Sequence, residues 1–290
     1  MYSANFDYHR ARSLADVHRL LAANPGAKLL AGGHSLIPLM KLRLAAPPAV
    51  VDIGRIPELR GISRSGDTIR IGALTTHAEI AASGDVQKAA PALAEAAGMI
   101  GDPAVRSRGT VGGNIAHADP ASDLPTVLVA LDARIVVVGP SGERTIAADG
   151  FFTGIMTTTL AENEVLTAIV VPVAARGQGS AYVKFSHPAS RYAVIGVAAS
   201  IAVANSQCSA ARVALGGLVP HARRAAAVEK ALVGKGLDAA AIAAAGAQVG
   251  SDLGGDVNGD IFASASYRKA VAPVYVKRAI AAAAARAGLA

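Results

Sequence analysis

Arg108-Gly109-Thr110-Val111-Gly112-Gly113-Asn114-Ile115, followed by Ala116-His117-Ala118-Asp119-Pro120-Ala121-Ser122-Asp123, stands out in an otherwise apolar chain. It has a counterpart upstream, Ala31-Gly32-Gly33-His34-Ser35, which follows the short apolar run Lys28 to Ala31. Paired glycines can take positive φ and let the backbone approach a ligand with no Cβ in the way. Successive N–H groups in such turns form nests for anions. Ser35, Thr110 and Asn114 add side-chain donors. Neither loop has the GxGxxG or GxxxxGK[ST] spacing, so the ordinary dinucleotide and P-loop readings fail. Taken alone, each loop reads first as a tight turn. Together they suit a ligand with two linked phosphates.

Outward from these loops the pattern mixes helices and strands. Ser13 to Asp16 starts a helix with Leu14, Val17, Leu20 and Leu21 on one face, and Asn24-Pro25-Gly26 ends it. Lys28 to Ala31 and Ala49 to Ile53 read as strands, separated by the apolar stretch Leu36 to Leu44 and the stop Pro47-Pro48. Thr68 to Gly72 alternates like a strand, and helices are predicted over Thr76 to Ser83, Pro91 to Met99 and Leu124 to Leu131. Gly101 to Asp123, between the last two helices, reads as a functional loop or a linker. Arg134 to Val138 and Glu143 to Ile146 form a hairpin around Gly139 to Gly142, and Val165 to Val171 is a further strand. Val173 to Gly179 reads as a domain linker. Beyond it come three strands, Ala181 to Phe185, Ala193 to Val203 and Arg212 to Leu218. Alanine-rich helices follow at Ala222 to Leu232, Ala239 to Val249 and Tyr267 to Ala287.

Composition narrows the function. The 290 residues include one cysteine and no tryptophan, and the net charge is +7. A single Cys208 closes no internal disulfide and cannot hold a cluster or structural zinc, so it reads as a small buried hydrophobe in a reducing compartment. The apolar content of 52% and charged content of 17% argue against disorder. The uncharged run Ala193 to Ala211 contains Ser200, Asn205, Ser206 and Gln207, so its apolar part is short of the ~20 residues of a spanning helix. No secretory leader is visible at the start, and the expected location is cytoplasmic. Lys and Arg are scattered among few aromatics, so nucleic acid is not an expected partner.

Six motifs occur in order: AGGHSLIPLMKLRL, GALTTHAEI, RGTVGGNIAHADPASD, ENEVLTAI, KFSHPASRYAVIGVA and SASYRKAVAPVYVKRA. The set covers nearly the whole chain and resembles the FAD-binding medium subunit, or flavin domain, of the molybdenum hydroxylase (xanthine dehydrogenase) family. The AGGHSLIPLMKLRL and HPASRYA forms are most similar to the medium subunits of the aerobic carbon monoxide dehydrogenase type. The resemblance implies an α+β chain with an FAD-binding PCMH-type (vanillyl-alcohol-oxidase-like) fold. Two small α/β subdomains, 1–55 and 56–175, would precede a C-terminal domain, 176–290, with a three-stranded antiparallel sheet and helices. It implies an oxidoreductase subunit with FAD in this chain. The molybdenum cofactor would sit in a large partner subunit and the [2Fe–2S] clusters in a small one, assembled as a dimer of heterotrimers. The external electron acceptor would be a quinone or similar carrier, which could bring the complex to the inner face of the membrane.

Carried over by motif, Ala31, Gly32, Gly33, His34 and Ser35, with Thr110, Val111, Gly112, Gly113 and Asn114, would hold the pyrophosphate. Asp123 would accept from a sugar or ribityl hydroxyl, Ile100 and Leu166 would line the cofactor, and Tyr192 would cover one ring face. Lys184 would bring positive charge to the ring. Each has a blander rival: a solvated Lys184, a core Tyr192, a first-turn Asp123, and Ile100 and Leu166 as ordinary core. His34, His77 and His117 read equally as partly exposed turn histidines, and His117 with Asp119 is too little for a metal site. Tyr267-Arg268-Lys269 with Lys277-Arg278 reads as a basic face, either solvated or a subunit contact. The competing functions are a hydroxylase acting on an aldehyde, purine or N-heterocycle, a free-standing FAD oxidoreductase, and a non-enzymatic binding module.

Overall fold

Alternation and capping set the first unit. The computed structural model describes residues 2–288. Strand β1 (Asp7–Arg10), helix α1 (Leu14–Ala23), β2 (Lys28–Leu30), α2 (Leu36–Lys41) and β3 (Ala49–Asp52) form a parallel sheet of order β1-β3-β2 with its helices. The Ser13 side chain caps α1 by accepting from the Asp16 N–H, and Val17, Leu20 and Leu21 are its buried face. The apolar stretch after the first glycine loop stays helical only to Lys41, because Arg43 takes a left-handed φ of 57° and the chain turns out.

The second unit runs β4 (Ile62–Ser65), β5 (Thr68–Gly72), α3 (His77–Ala82), α4 (Gly84–Ala89), α5 (Pro91–Met99), α6 (Pro103–Arg106), α7 (Val111–His117), α8 (Asp123–Ala130), β6 (Arg134–Gly139), β7 (Gly142–Ala147), a small ribbon of β8 (Phe152–Gly154) and β9 (Thr157–Thr158), and β10 (Val165–Pro172). Its five-stranded antiparallel sheet has the order β4-β5-β10-β6-β7. Gly101 to Asp123 is not the open loop expected from its composition. Asp102 and Thr110 each cap a helix by accepting from a backbone N–H three residues on, and Val111 and Ile115, one turn apart, are fully buried.

The third unit comprises β11 (Gln178–Ser186), β12 (Ala193–Ala204), β13 (Gln207–Gly216), β14 (Arg223–Arg224), α9 (Ala226–Leu232), α10 (Ala239–Ala247), α11 (Val249–Leu253) and α12 (Ala265–Arg286). The three expected antiparallel strands are joined at the edge by β14, a two-residue strand whose Arg224 is held by Glu229 of α9. Side-chain alternation lets this sheet serve two cores. Tyr182, Ala198 and Ala214 face the helices of the second unit, while Val197, Ala199, Val213 and Leu215 pack under the C-terminal helices. On the last helix Tyr267, Lys269, Lys277 and Arg278 are exposed, as a basic face requires, but Arg268 is not part of that face. Arg268 is only 4% exposed, and its guanidinium donates to the carbonyls of Ala263, Val194 and Gly217 and pairs with Asp260. Buried carbonyls at the end of the sheet required a donor, and Arg supplies five. Cys208 is buried, and burial pushes its thiol pKa up.

Candidate functional site

All three units line one cavity of about 850 Å³, within the ~300–1,000 Å³ typical of ligand pockets. At one end β2 delivers the chain into Ala31–Ser35 and α2. Among the described residues, the backbone N–H groups of Gly32, Gly33, His34 and Ser35 have no acceptor within the protein. Four adjacent donors without partners, with Gly33 at φ 80°, form an anion cradle. A Cβ on Gly32 would stand 2.1 Å from the Arg108 carbonyl oxygen, so the two glycine loops pack back to back.

The second loop works differently from the nest its glycines suggest. Neither Gly112 nor Gly113 has positive φ; both lie in α7. The N–H groups of Val111 and Gly112 are taken by the carbonyls of Thr75 and Ala73, and that of Gly113 by Thr110 Oγ1. What the glycines supply is closeness. A Cβ on Gly112 would stand 2.5 Å from the Ala73 Cβ, whereas Gly113 is exposed on the cavity wall, where a Cβ would stand 2.9 Å from Thr110 Oγ1 and 3.9 Å from the Ala31 Cβ. Asn114 accepts from Ser122 Oγ at 2.7 Å.

The other end is apolar and aromatic. Ile100, at the C-cap of α5, and Leu166, beside a bulge in β10, line it with Tyr192, which is 45% exposed. Asp123, the first residue of α8, also lines the cavity although it is buried. Its Oδ1 accepts from the Tyr182 hydroxyl at 2.6 Å and its Oδ2 from Lys184 Nζ at 2.9 Å. Burial pushes the Asp123 pKa up, against the pull of the Lys184 ammonium and the Tyr182 hydroxyl. The same burial, reinforced by Asp123, raises the Tyr182 phenol well above its ordinary value, so it is a donor.

Thirteen of the fifteen expected site residues therefore line one cavity; Val111 and Lys184 stand behind its wall. The Lys184 side chain is buried rather than solvated. Of the histidines, His34 and His117 line the cavity. So does His77, but it is no exposed turn residue: it is 3% exposed, its Nδ1 has no partner, and burial together with neighbouring His34 lowers its pKa to about 4. Among the described residues, no group of three His, Cys, Asp or Glu is placed to hold a metal. Tyr182 and Arg191 were not anticipated. The signal for Tyr182 was its place two residues before Lys184 on a strand, hence on the same face.

A run of unpartnered N–H donors and an aromatic, apolar stretch in one cavity, spread over α/β and α+β units, suit a long phosphate-bearing cofactor. Residues 4–174 match the family described as the FAD binding domain in molybdopterin dehydrogenase, and residues 180–283 the CO dehydrogenase flavoprotein C-terminal domain. The chain is 44% identical over 287 residues to the carbon monoxide dehydrogenase medium chain of Hydrogenophaga pseudoflava, covering 99% of both. It is 40% identical over 238 residues to the glyceraldehyde dehydrogenase medium chain of Sulfolobus acidocaldarius, covering 82% of this chain and 84% of that one. The solved carbon monoxide dehydrogenase of Hydrogenophaga pseudoflava that lacks the Mo-pyranopterin moiety superposes with a TM-score of 0.95 at 44% identity, covering 99% of each chain. The chain belongs to the FAD-binding medium subunits of the molybdenum hydroxylase family, and it is an oxidoreductase subunit of the carbon monoxide dehydrogenase type.

Proposed function

We propose that this chain is the electron-transfer subunit of an aerobic carbon monoxide dehydrogenase. The observation that carries the reading is the cavity itself, with unpartnered N–H groups at one end and Ile100, Leu166 and Tyr192 at the other. FAD fits this donor set, since its pyrophosphate needs N–H donors and close backbone and its ring needs an apolar, aromatic wall. Ala31 to Ser35 donate to the pyrophosphate, and Thr110, Gly112, Gly113 and Asn114 form the close wall beside it, with Val111 anchoring the second loop in the core. Asp123 accepts from a sugar or ribityl hydroxyl, Ile100 and Leu166 line the ring, Tyr192 covers one face of it, and Lys184 places positive charge behind that end. When bound, FAD would supply the capacity to accept electrons one at a time and to release them singly or in pairs.

The chain receives its electrons from two [2Fe–2S] clusters of a small partner subunit, which are fed by the molybdenum cofactor of a large one. It releases them to an external acceptor such as a quinone. Support comes from the whole-length similarity to a carbon monoxide dehydrogenase medium chain. A chain with a single buried cysteine has no cluster ligands of its own. The complex is a cytoplasmic dimer of heterotrimers, and no helix among the described residues is long and apolar enough to cross a membrane. Purification from the native source tests this. The expected result is a yellow complex with molybdenum, iron and two further polypeptides. Oxidation of carbon monoxide by the chain and FAD alone would overturn it.

A further inference from the structure

Lys184 was read from the sequence as a charge beside the flavin ring, but its donors point to a different task. All three ammonium hydrogens are in use: one goes to Asp123 Oδ2 at 2.9 Å, one to the Met99 carbonyl at 3.0 Å and one to the Arg191 carbonyl at 2.9 Å. The side chain is 1% exposed and does not line the cavity. No donor remains for a ligand. The third acceptor lies in the hairpin between β11 and β12, where Ser190, Arg191 and Tyr192 all line the cavity. Arg191 holds a left-handed φ of 61°, an unfavourable conformation for a side-chain-bearing residue that surrounding bonds must maintain. Those bonds are few: the His187 N–H to the Tyr192 carbonyl, the Arg191 N–H to the His187 carbonyl, the Tyr192 N–H to Ser190 Oγ, His187 Nδ1 accepting from the Ala189 and Ser190 N–H groups, and the Lys184 bond. Among the described residues, the Ala193 N–H to the Ala121 carbonyl ties the exit of the hairpin to the second unit, and the Lys184 bond ties the turn itself, through the end of α5 and the start of α8. Tyr182 completes the tie by fixing the free oxygen of Asp123.

We infer that Lys184 is a positioning residue, a strap that holds the Arg191–Tyr192 turn over the cavity and sets cofactor retention through Tyr192 rather than through a hydrogen bond of its own. Tyr182 and Asp123 hold the strap. The inference rests on the FAD reading above and deepens it.

A double-mutant cycle in the full chain separates a strap from a direct contact. FAD affinity and the fluorescence yield of the bound flavin are measured for wild type, Lys184→Met, Tyr192→Ala and the double variant. A strap predicts that Lys184→Met weakens FAD binding about tenfold, the scale of losing hydrogen bonds to a charged group. It also predicts that the bound flavin brightens toward the level of Tyr192→Ala, as stacking is lost. The double variant should then be within about twofold of Tyr192→Ala alone, since independent effects would multiply. Independent, multiplying losses or unchanged flavin brightness in Lys184→Met would overturn the strap. Lys184→Met leaves the Asp123 carboxylate buried without its counter-charge. The cycle is therefore repeated with Tyr182→Phe, which keeps both charges, in place of Lys184→Met; it should show the same coupling to Tyr192 in smaller measure. Multiplying losses there count against the strap in the same way. A wild-type chain that takes up no FAD would instead sink the underlying cofactor reading.

Discussion

A single methyl group at position 32 would collide with the backbone of the other glycine loop. Gly32→Ala places a Cβ 2.1 Å from the Arg108 carbonyl oxygen, and backbone cannot swing aside as a side-chain tip can. The loops must part, at about 1–3 kcal/mol for overpacking, and the N–H cradle moves with them. The expected outcome is loss of FAD uptake with a modest fall in thermal midpoint, read by flavin absorbance and calorimetry. His77 gives a pH prediction. Its pKa is about 4 in the folded chain against an ordinary 6.5, so the unfolded chain binds the extra proton between those values. Stability from neutral His77 is complete above pH 6.5 and declines as pH falls toward 4, by about 3 kcal/mol in all. Urea titrations from pH 7 to 4 should show that slope in wild type and a shallower one in His77→Gln. At this scale the sequence revealed what lies in short motifs, namely the two loops, Asp123 and Tyr192. It concealed Tyr182, whose partner is 59 positions away, and the burial of His77 beneath Gly109, which only folding brings to it.

Helices showed the same division between local and distant causes. α1 was legible because its cap and apolar face lie within ten residues. α7 was hidden because glycine, asparagine and histidine mask a helix whose two buried apolar side chains, Val111 and Ile115, carry the whole signal. α12 was legible as a helix with exposed Lys269, Lys277 and Arg278, but one member of its basic face was misplaced. The residue at fault, Arg268, spends its donors on carbonyls of Val194 and Gly217, more than fifty positions earlier in the chain. Arg268→Leu would leave those carbonyls and Asp260 without their partner. A loss of about 3 kcal/mol or more is expected, seen as a lowered urea midpoint with no change in FAD stoichiometry at low denaturant. Wild-type stability in that variant would show the bonds to be dispensable.

For the molecule as a whole, no one unit owns the cavity. Its walls come from β2 and α2, from the segment just past α5, from α7, α8 and β10, and from the hairpin between β11 and β12. That arrangement was legible only as two glycine loops and scattered motifs, because no periodicity records which distant segments will meet. Assembly is expected to follow the same logic: the isolated chain should bind FAD stoichiometrically yet oxidise no substrate until its partners are added, as steady-state assays with and without them will show.

The shared cavity also makes its occupant a fastener. A ligand seated between three units is bound by the closed arrangement and by none of the open ones. Each tenfold excess of free FAD over its dissociation constant therefore holds the seams shut by about a further 1.4 kcal/mol. Starved of FAD, the chain should yield first along those seams, at the Ser186–Tyr192 hairpin and the Ala31–Ser35 turn, to a protease that leaves the loaded chain whole. Cofactor supply would then govern how long the polypeptide survives as well as what it does.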